Sequence, residues 1–184
     1  MSLKKLGYSL LALASFVAGL VLISIQKNFI ILNFNTTKLA NHQTQTQTNF
    51  TKKNITLWFW QNEQWHSEQT IILWGQDSAN NLTSLVQNWL ALATEEQIIK
   101  NKINLQAALV SKNEQTAYLS FGNTLFNKNL STYQKLLIIE SLLKTIRTNQ
   151  TGIQEIQFLV QHQIMQDSQL DFANPWPITG FLKN

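Results

Sequence analysis

The sequence predicts an α+β domain in the order β-β-α-β-β-α-β, with two helices on one face of a mixed sheet, preceded by one transmembrane helix. Three observations carry this prediction. Short runs rich in β-branched and aromatic residues predict strands. Two longer segments repeat apolar residues every three or four positions, which is the spacing of one helix face. The third observation is an uncharged apolar run of 20 residues near the amino terminus.

The uncharged run extends from Leu6 to Ile25 and follows Lys4 and Lys5. It is long enough to cross a bilayer, because a helix rises about 1.5 Å per residue. We expect residues 1–27 to be an uncleaved signal anchor in the cytoplasmic (inner) membrane, with the N-terminus in the cytoplasm and the rest extracytoplasmic. A cleaved signal peptide is the alternative that the sequence leaves open.

Residues 28–54 form the predicted linker. Their alternating Gln and Thr residues after His42 contain too little apolar surface to build a core, so we expect a polar, flexible tether. The folded domain is then predicted to comprise residues 55–184. A domain of this size buries enough surface to fold without a metal or a disulfide.

Five strands are predicted within the folded domain. The first hairpin joins Ile55–Trp60 to Gln69–Trp74 across a polar turn, and the second joins Leu105–Val110 to Thr116–Phe121. The last strand covers Ile156–Val160, where apolar residues alternate with polar ones.

Two helices separate these strands. The first is predicted from Leu82 to Ala93, capped by Asn80 or Asn81. The segment Thr94–Gln97 has the spacing of a capping box, so we expect it to open a short extra helix that extends through Ile99. A second capping box, Ser131–Gln134, is predicted to open the other long helix.

Charge and composition exclude several classes of protein. The five basic residues of positions 1–52 stand without any acidic residue, whereas residues 53–184 carry 9 basic and 10 acidic residues. A nucleic-acid-binding domain would carry its positive charge on the folded part, so we expect no nucleic-acid partner. The absence of Cys excludes disulfides, a Cys nucleophile, Cys-ligated zinc and an N-terminal lipidated cysteine.

The titratable residues form no catalytic or metal-binding pattern. The three histidines lack metal-ligand spacing. Surface solvation explains the carboxylate pairs Glu63/Glu68 and Asp167/Asp171 better than hydrolysis does. For Glu140, on the apolar stripe of the second helix, we expect a rim position with its tip in water rather than a buried paired acid. No catalytic residue, cofactor or metal is therefore predicted.

Trp65 and Trp176 are the candidate surface-binding residues among the six Trp. Both are expected in turns, where an exposed indole could stack against a sugar. Burial in the core is the competing and more frequent role of such aromatic residues.

Several segments resemble the GerMN domain, the module of sporulation and spore-germination proteins related to GerM. The resemblance extends from Leu85 to about Pro175, with Leu57–Phe59 similar to the opening strand of the family. Two polar positions depart from the family pattern: Lys144 replaces an Asn, and Gln161–His162 replace Asp-Gly. The segments that carry the resemblance are VQNWLALATEE (86–96), TAYLSFGNTLF (116–126), SLLKTIRTNQTGIQEIQFLV (141–160) and QLDFANP (169–175).

The resemblance implies a membrane-associated, extracytoplasmic interaction domain without established catalytic residues. We therefore expect a non-catalytic binding module, single-pass in the membrane, whose partner is an envelope protein or peptidoglycan. The alternatives are a cell-wall hydrolase and a structural subunit of an envelope ring or secretion assembly, in which the chain would self-associate. A role in sporulation does not follow from the resemblance alone.

Overall fold

The computed structural model describes residues 50–127 and 129–181. They form two helices and seven strands. In chain order these elements are β1 (Thr51–Gln61), β2 (Gln64–Trp74), α1 (Ser78–Glu95), β3 (Leu105–Val110), β4 (Thr116–Phe121), α2 (Thr132–Thr148), β5 (Glu155–Val160), β6 (Gln163–Ile164) and β7 (Trp176–Pro177). The α+β class, the mixed sheet and the two helices agree with the prediction.

Strands β1 and β2 form a long antiparallel hairpin with a register from Thr51↔Trp74 to Gln61↔Gln64. Its two-residue turn places Asn62 and Glu63 at φ 52° and 61°. Positive φ at both central residues is the type I′ geometry, which matches the twist of a hairpin. Strand β1 begins at Thr51, ahead of the expected domain start at Ile55.

The remaining strands form a separate, five-stranded mixed sheet in the order β3-β4-β5-β6. Strands β3 and β4 are antiparallel, whereas β4 and β5 are parallel and are joined through α2. The edge of β5 that faces away from β4 pairs with two short strands. Strand β6 pairs with the C-terminal end of β5, and β7 pairs with its N-terminal end. The sequence did not predict β6 or β7, because two residues are too few to show a periodicity.

Helix α1 begins and ends differently from the prediction. Asp77, not Asn80 or Asn81, is the N-cap, and its side chain accepts from the N–H groups of Ala79 and Asn80. Asn81 instead bonds both backbone groups of Gly75, its amide oxygen accepting from the N–H and its amide nitrogen donating to the C=O.

The short extra helix expected from Thr94 through Ile99 is absent from the described chain. The hydroxyl of Thr94 donates to the carbonyl of Leu90 at 2.8 Å. Gln97 has φ 57°, and the N–H of Ile99 returns to the carbonyl of Ala93. These bonds terminate α1 and leave a compact turn. The capping box at Ser131–Gln134, by contrast, is present at the start of α2.

The hydrophobic core is formed by side chains from the inner face of the hairpin, from both helices and from the mixed sheet. Ile55, Leu57 and Phe59 alternate along β1 with residues that face outward. Trp89 of α1 is buried and donates its indole N–H to the carbonyl of Trp58 at 3.1 Å. This bond attaches α1 to the hairpin.

Helix α2 covers the outer edge of β1 by side-chain hydrogen bonds. The amide of Asn149 accepts from the N–H of Thr56 at 3.0 Å and donates to its C=O at 2.7 Å. The hydroxyl of Thr145 accepts from the N–H of Trp58 at 2.8 Å. Asn149 and Thr145 are both buried. An edge strand carries unpaired backbone groups, and here the polar side chains of a helix pair with them.

No helix within 50–127 and 129–181 combines the length and the apolarity that a membrane crossing needs. The predicted span from Leu6 to Ile25 lies outside the described residues, as does most of the predicted linker.

We predict that Asn149→Ala lowers the free energy of unfolding by about 2–4 kcal/mol, because it leaves the partly buried N–H and C=O of Thr56 without their hydrogen-bond partner. Urea unfolding followed by Trp fluorescence measures the change. Asn80→Ala, at an exposed position of α1, is the control and should change stability by less than about 0.5 kcal/mol. Equal effects of the two substitutions would refute the role given to Asn149.

Candidate functional site

The candidate site is a cleft of about 360 Å³ at the tip of the hairpin, called the tip cleft below. It lies between the hairpin turn, the turn after α1 and the first part of α2. Its lining residues are Trp60, Gln61, Asn62, Glu96, Gln97, Ile98, Lys100, Leu130, Gln134, Leu137 and Ile138.

Local hydrogen bonds hold the walls of the tip cleft in place. The amide of Gln61 donates to the carbonyl of Glu96 at 3.2 Å and thereby joins the hairpin to the turn after α1. The side chain of Gln134 accepts from the N–H of Ser131 at 2.9 Å, as part of the capping box. The fold therefore fixes the positions of two polar side chains of the cleft, and such preorganisation lowers the entropic cost of binding in general.

The lining of the tip cleft combines apolar side chains with side chains that carry amide groups. Trp60, Ile98 and Leu137 supply apolar surface, and four side-chain amides supply donors and acceptors. An apolar wall with a few placed polar groups is the usual composition of a ligand pocket. The amide-bearing residues are Gln61, Asn62, Gln97 and Gln134.

Trp60 belongs to a cluster of aromatic side chains on the outer face of the hairpin. The rings of Trp60 and Trp65 meet edge to face with centroids 5.1 Å apart. The ammonium of Lys144 lies 4.0 Å from the ring centroid of Trp58 and 4.5 Å from that of Trp65. Such cation–π contacts fix the two indoles relative to α2.

The pKa of Lys144 reflects this partly buried position. Burial lowers the pKa of its ammonium group, and the positive charge of Arg147 lowers it further, while Glu140 acts in the opposite direction. Burial also lowers the pKa of Lys53, whose ammonium lies 3.7 Å from the ring centroid of Trp74 and donates to the carbonyl of Asn149.

The two candidate Trp residues lie in strands rather than in turns. Trp65 is in β2 and is half-buried beneath Trp60 and Lys144. Trp176 is in β7, where its ring stacks on Phe172 with centroids 5.4 Å apart. The two indoles therefore belong to separate clusters and form no common platform.

Trp176 lines a second, mostly apolar cleft of about 450 Å³. Its ring meets Phe181 edge to face at 5.7 Å, and its N–H donates to the carbonyl of Asp171 at 3.0 Å. Pro175 and Pro177 form the adjoining wall. This cleft carries fewer polar groups than the tip cleft, so the aromatic residues here mainly close the core.

Glu140 is buried, so the expected rim position is wrong. Its side chain is 2% exposed, and its carboxylate accepts from the N–H of Phe181 and from the guanidinium of Arg147. Gly180 lies directly against this carboxylate at φ 72°, where a Cβ would clash with both oxygens. Glu140 thus anchors the C-terminal segment on α2 and takes no part in the tip cleft.

Asp167, which is half-buried, forms an ion pair at 2.6 Å with the buried Lys135 of α2. Burial alone would raise the pKa of the Asp167 carboxyl. The hydrogen bonds from Lys135 and from the N–H groups of Gln169 and Leu170 outweigh burial, and the pKa lies below its usual value. The carboxylate of Asp171 accepts from the N–H of Ala173.

Surface or packing roles are also seen for Glu63, Glu68 and His66. Glu63 is in the hairpin turn and Glu68 is exposed on β2. His66 stacks on Phe59 and contacts the carbonyl of Gln61 at 3.1 Å. Across residues 50–127 and 129–181, no three His, Asp or Glu side chains are grouped as metal ligands would be.

Sequence reasoning missed the tip cleft. Its walls come from three segments far apart in the chain, and its amide residues show no local pattern. The one usable signal was the polar turn after Trp60, which correctly indicated the hairpin.

Comparisons with known proteins give structural matches alone. No protein-family model matches the chain, and no curated protein sequence matches it. One similar structure is a putative lipoprotein from Clostridium perfringens, with 20% sequence identity and a TM-score of 0.46. The match covers 76% of this chain and 93% of the lipoprotein chain.

A second similar structure holds the tandem GerMN domains of the sporulation protein GerM from Bacillus subtilis. It is 12% identical with a TM-score of 0.46, and the match covers 78% of this chain. Our chain spans about half the length of that structure, 49% of its residues.

We predict that Asp167→Asn lowers the free energy of unfolding by about 3–5 kcal/mol at neutral pH, because the Lys135 ammonium stays buried without its counter-charge. The pKa of Asp167 is lower in the folded than in the unfolded state. The stabilisation is therefore complete above the unfolded-state pKa and disappears as the pH falls through the folded-state pKa.

Urea unfolding of the wild-type chain and of Asp167→Asn, between neutral pH and about pH 2, measures the difference in their free energies of unfolding. The gap in stability should narrow as the solution becomes acidic. Asp171→Asn, at an exposed carboxylate, serves as control and should change stability by less than about 1 kcal/mol. A gap for Asp167→Asn that is the same at every pH would contradict the ion-pair interpretation.

Proposed function

We propose that the chain is a non-catalytic, extracytoplasmic binding module of the GerMN kind, held at the inner membrane by residues 6–25, and that it binds cell-wall glycan in the tip cleft. The observation that carries the proposal is the composition of that cleft. An indole wall can stack on the apolar face of a sugar, and side-chain amides can bond its hydroxyl groups.

The preformed geometry of the tip cleft supports this proposal. The bond from Gln61 to Glu96 and the capping box at Gln134 fix two walls independently of ligand. The half-buried Trp60 is held by its edge-to-face contact with Trp65. A rigid aromatic wall binds a ring-shaped ligand with little loss of side-chain entropy.

The membrane part of the proposal rests on the sequence. The run from Leu6 to Ile25 is long enough to span a bilayer, and Lys4 and Lys5 precede it. A peptidoglycan ligand requires the domain to lie on the same side of the inner membrane as the cell wall, which is the expected orientation.

We predict that the full chain, purified in detergent, sediments with isolated bacterial peptidoglycan, and that Trp60→Ala weakens this association about tenfold, since one lost stacking contact is worth roughly 1–2 kcal/mol. Asn62→Gly removes one amide while keeping the positive φ of the turn, and should weaken binding by a smaller factor. The bound fraction as a function of peptidoglycan concentration measures both effects.

Tyr133→Ala is the matched control. Tyr133 is 57% exposed and directly precedes Gln134, but it does not line the tip cleft. Its removal should leave binding unchanged. Equal losses for Trp60→Ala and Tyr133→Ala would exclude the tip cleft as the site. Soluble fragments released from peptidoglycan by the wild-type chain would exclude a purely binding role and would favour a cell-wall hydrolase.

A further inference from the structure

Three large apolar side chains are exposed side by side at the base of the hairpin, the end opposite its turn. Phe50 is 53% exposed, Ile71 is 66% exposed and Leu73 is 59% exposed. We call these three residues, with Lys52, the base patch. Single exposed apolar residues are ordinary on protein surfaces, but a contiguous group of them marks an interaction surface.

The hairpin register places the base patch on one face of the sheet. Leu73 is directly opposite Lys52, and Ile71 is directly opposite Asn54, so their side chains share the outer face. The aromatic ring of Phe50 lies against Gly75, within 3.0 Å of the position a Cβ would occupy there. Gly75 therefore leaves room for Phe50 to extend the patch.

The charge of the base patch fits an anionic surface. Lys52 is exposed, and the chain that leads into the patch carries Lys27 and Lys38 without any acidic residue. Glu68 is the acidic residue of β2, and it pairs with Leu57, on the face opposite to the patch. Positive charge beside exposed apolar side chains is the composition of a surface that binds anionic lipid.

The position of the base patch in the chain keeps it near the predicted membrane span. The described structure begins at Phe50, so residues 26–49 are all that separates the patch from Ile25. These 24 residues can extend over at most roughly 85 Å. Because the predicted span would hold the domain close to the bilayer, the effective concentration of lipid at the patch would be high. Even a weak affinity of the patch for lipid would then be sufficient for docking.

We propose that the base patch docks on the anionic surface of the bilayer that holds the chain, with Ile71, Leu73 and Phe50 in the interfacial layer and Lys52 among the headgroups. This inference rests on the membrane attachment proposed above. A second copy of the chain, pairing along the outer edge of β2, is the competing occupant and is distinguished by the test.

The absence of Cys allows a direct test with single labels. Ile71→Cys and Leu73→Cys are made in the full chain, labelled with an environment-sensitive fluorophore and reconstituted into vesicles of phosphatidylcholine with phosphatidylglycerol. Leu109→Cys and Tyr133→Cys are the matched controls, because both positions are large, exposed residues outside the patch, at 61% and 57% exposure. Lipids that carry a doxyl quencher report contact with the bilayer.

We expect doxyl lipid to quench the labels at positions 71 and 73 about threefold more than the control labels, with a shift of emission to shorter wavelength. Quenching should weaken in vesicles of phosphatidylcholine alone and in the Lys52→Gln background, because the electrostatic part of the attraction is then lost. Equal quenching at all four positions would overturn the proposal.

Three further outcomes separate the ways in which the proposal can fail. If the chain does not float with the vesicles, the proposed membrane attachment is wrong, and the docking falls with it. If the chain floats with the vesicles but the labels at positions 71 and 73 show the emission of a fluorophore in water, the docking proposal is wrong and the membrane attachment stands. Energy transfer between labelled copies that rises with the protein-to-lipid ratio, without doxyl quenching, would assign the patch to a second copy instead.

Discussion

The position of the hairpin depends on the side chains of α2 that bond the edge of β1. The side-chain amide of Asn149 makes three hydrogen bonds. Its oxygen accepts from the N–H of Thr56, and its nitrogen donates to the carbonyls of Thr56 and Thr145. One side chain thus bonds the backbone N–H and C=O of Thr56, as a neighbouring strand would do in a sheet. A two-stranded sheet is only marginally stable by itself. Contact with α2 and the inward-facing Ile55, Leu57 and Phe59 give this hairpin a fixed orientation.

This orientation links the features on which both proposals rest. The bonds to Asn149 and Thr145 lie in the middle of β1, between the tip cleft and the base patch. Lys144, one residue before Thr145, holds the indoles near the tip, whereas Lys53 contacts both Trp74 and the carbonyl of Asn149 near the base. A shift of α2 relative to β1 would therefore disturb both ends of the hairpin.

The sequence predicted what depends on local periodicity and missed what depends on distant contacts. Alternation located the long strands, and the capping box at Ser131 located α2. The similar spacing at Thr94 was misleading because its hydroxyl bonds backward within α1. Burial of Glu140 requires the Phe181 N–H, 41 positions away, and the tip cleft requires three distant segments. Neither contact leaves a pattern that local spacing reveals.

In the two proposals the ends of the hairpin face different chemical environments, and the length of the hairpin separates them. Strand β1 has 11 residues, which at about 3.3 Å per residue places the tip roughly 30 Å from the base. The tip residues Trp60 and Trp65 and the base residues Ile71 and Leu73 share the outer face of the hairpin but lie at opposite ends of it. Because the two ends are this far apart, a hairpin docked on lipid by its base can keep the tip cleft free for another ligand. Glycan binding at one end and lipid contact at the other are thus compatible in one molecule.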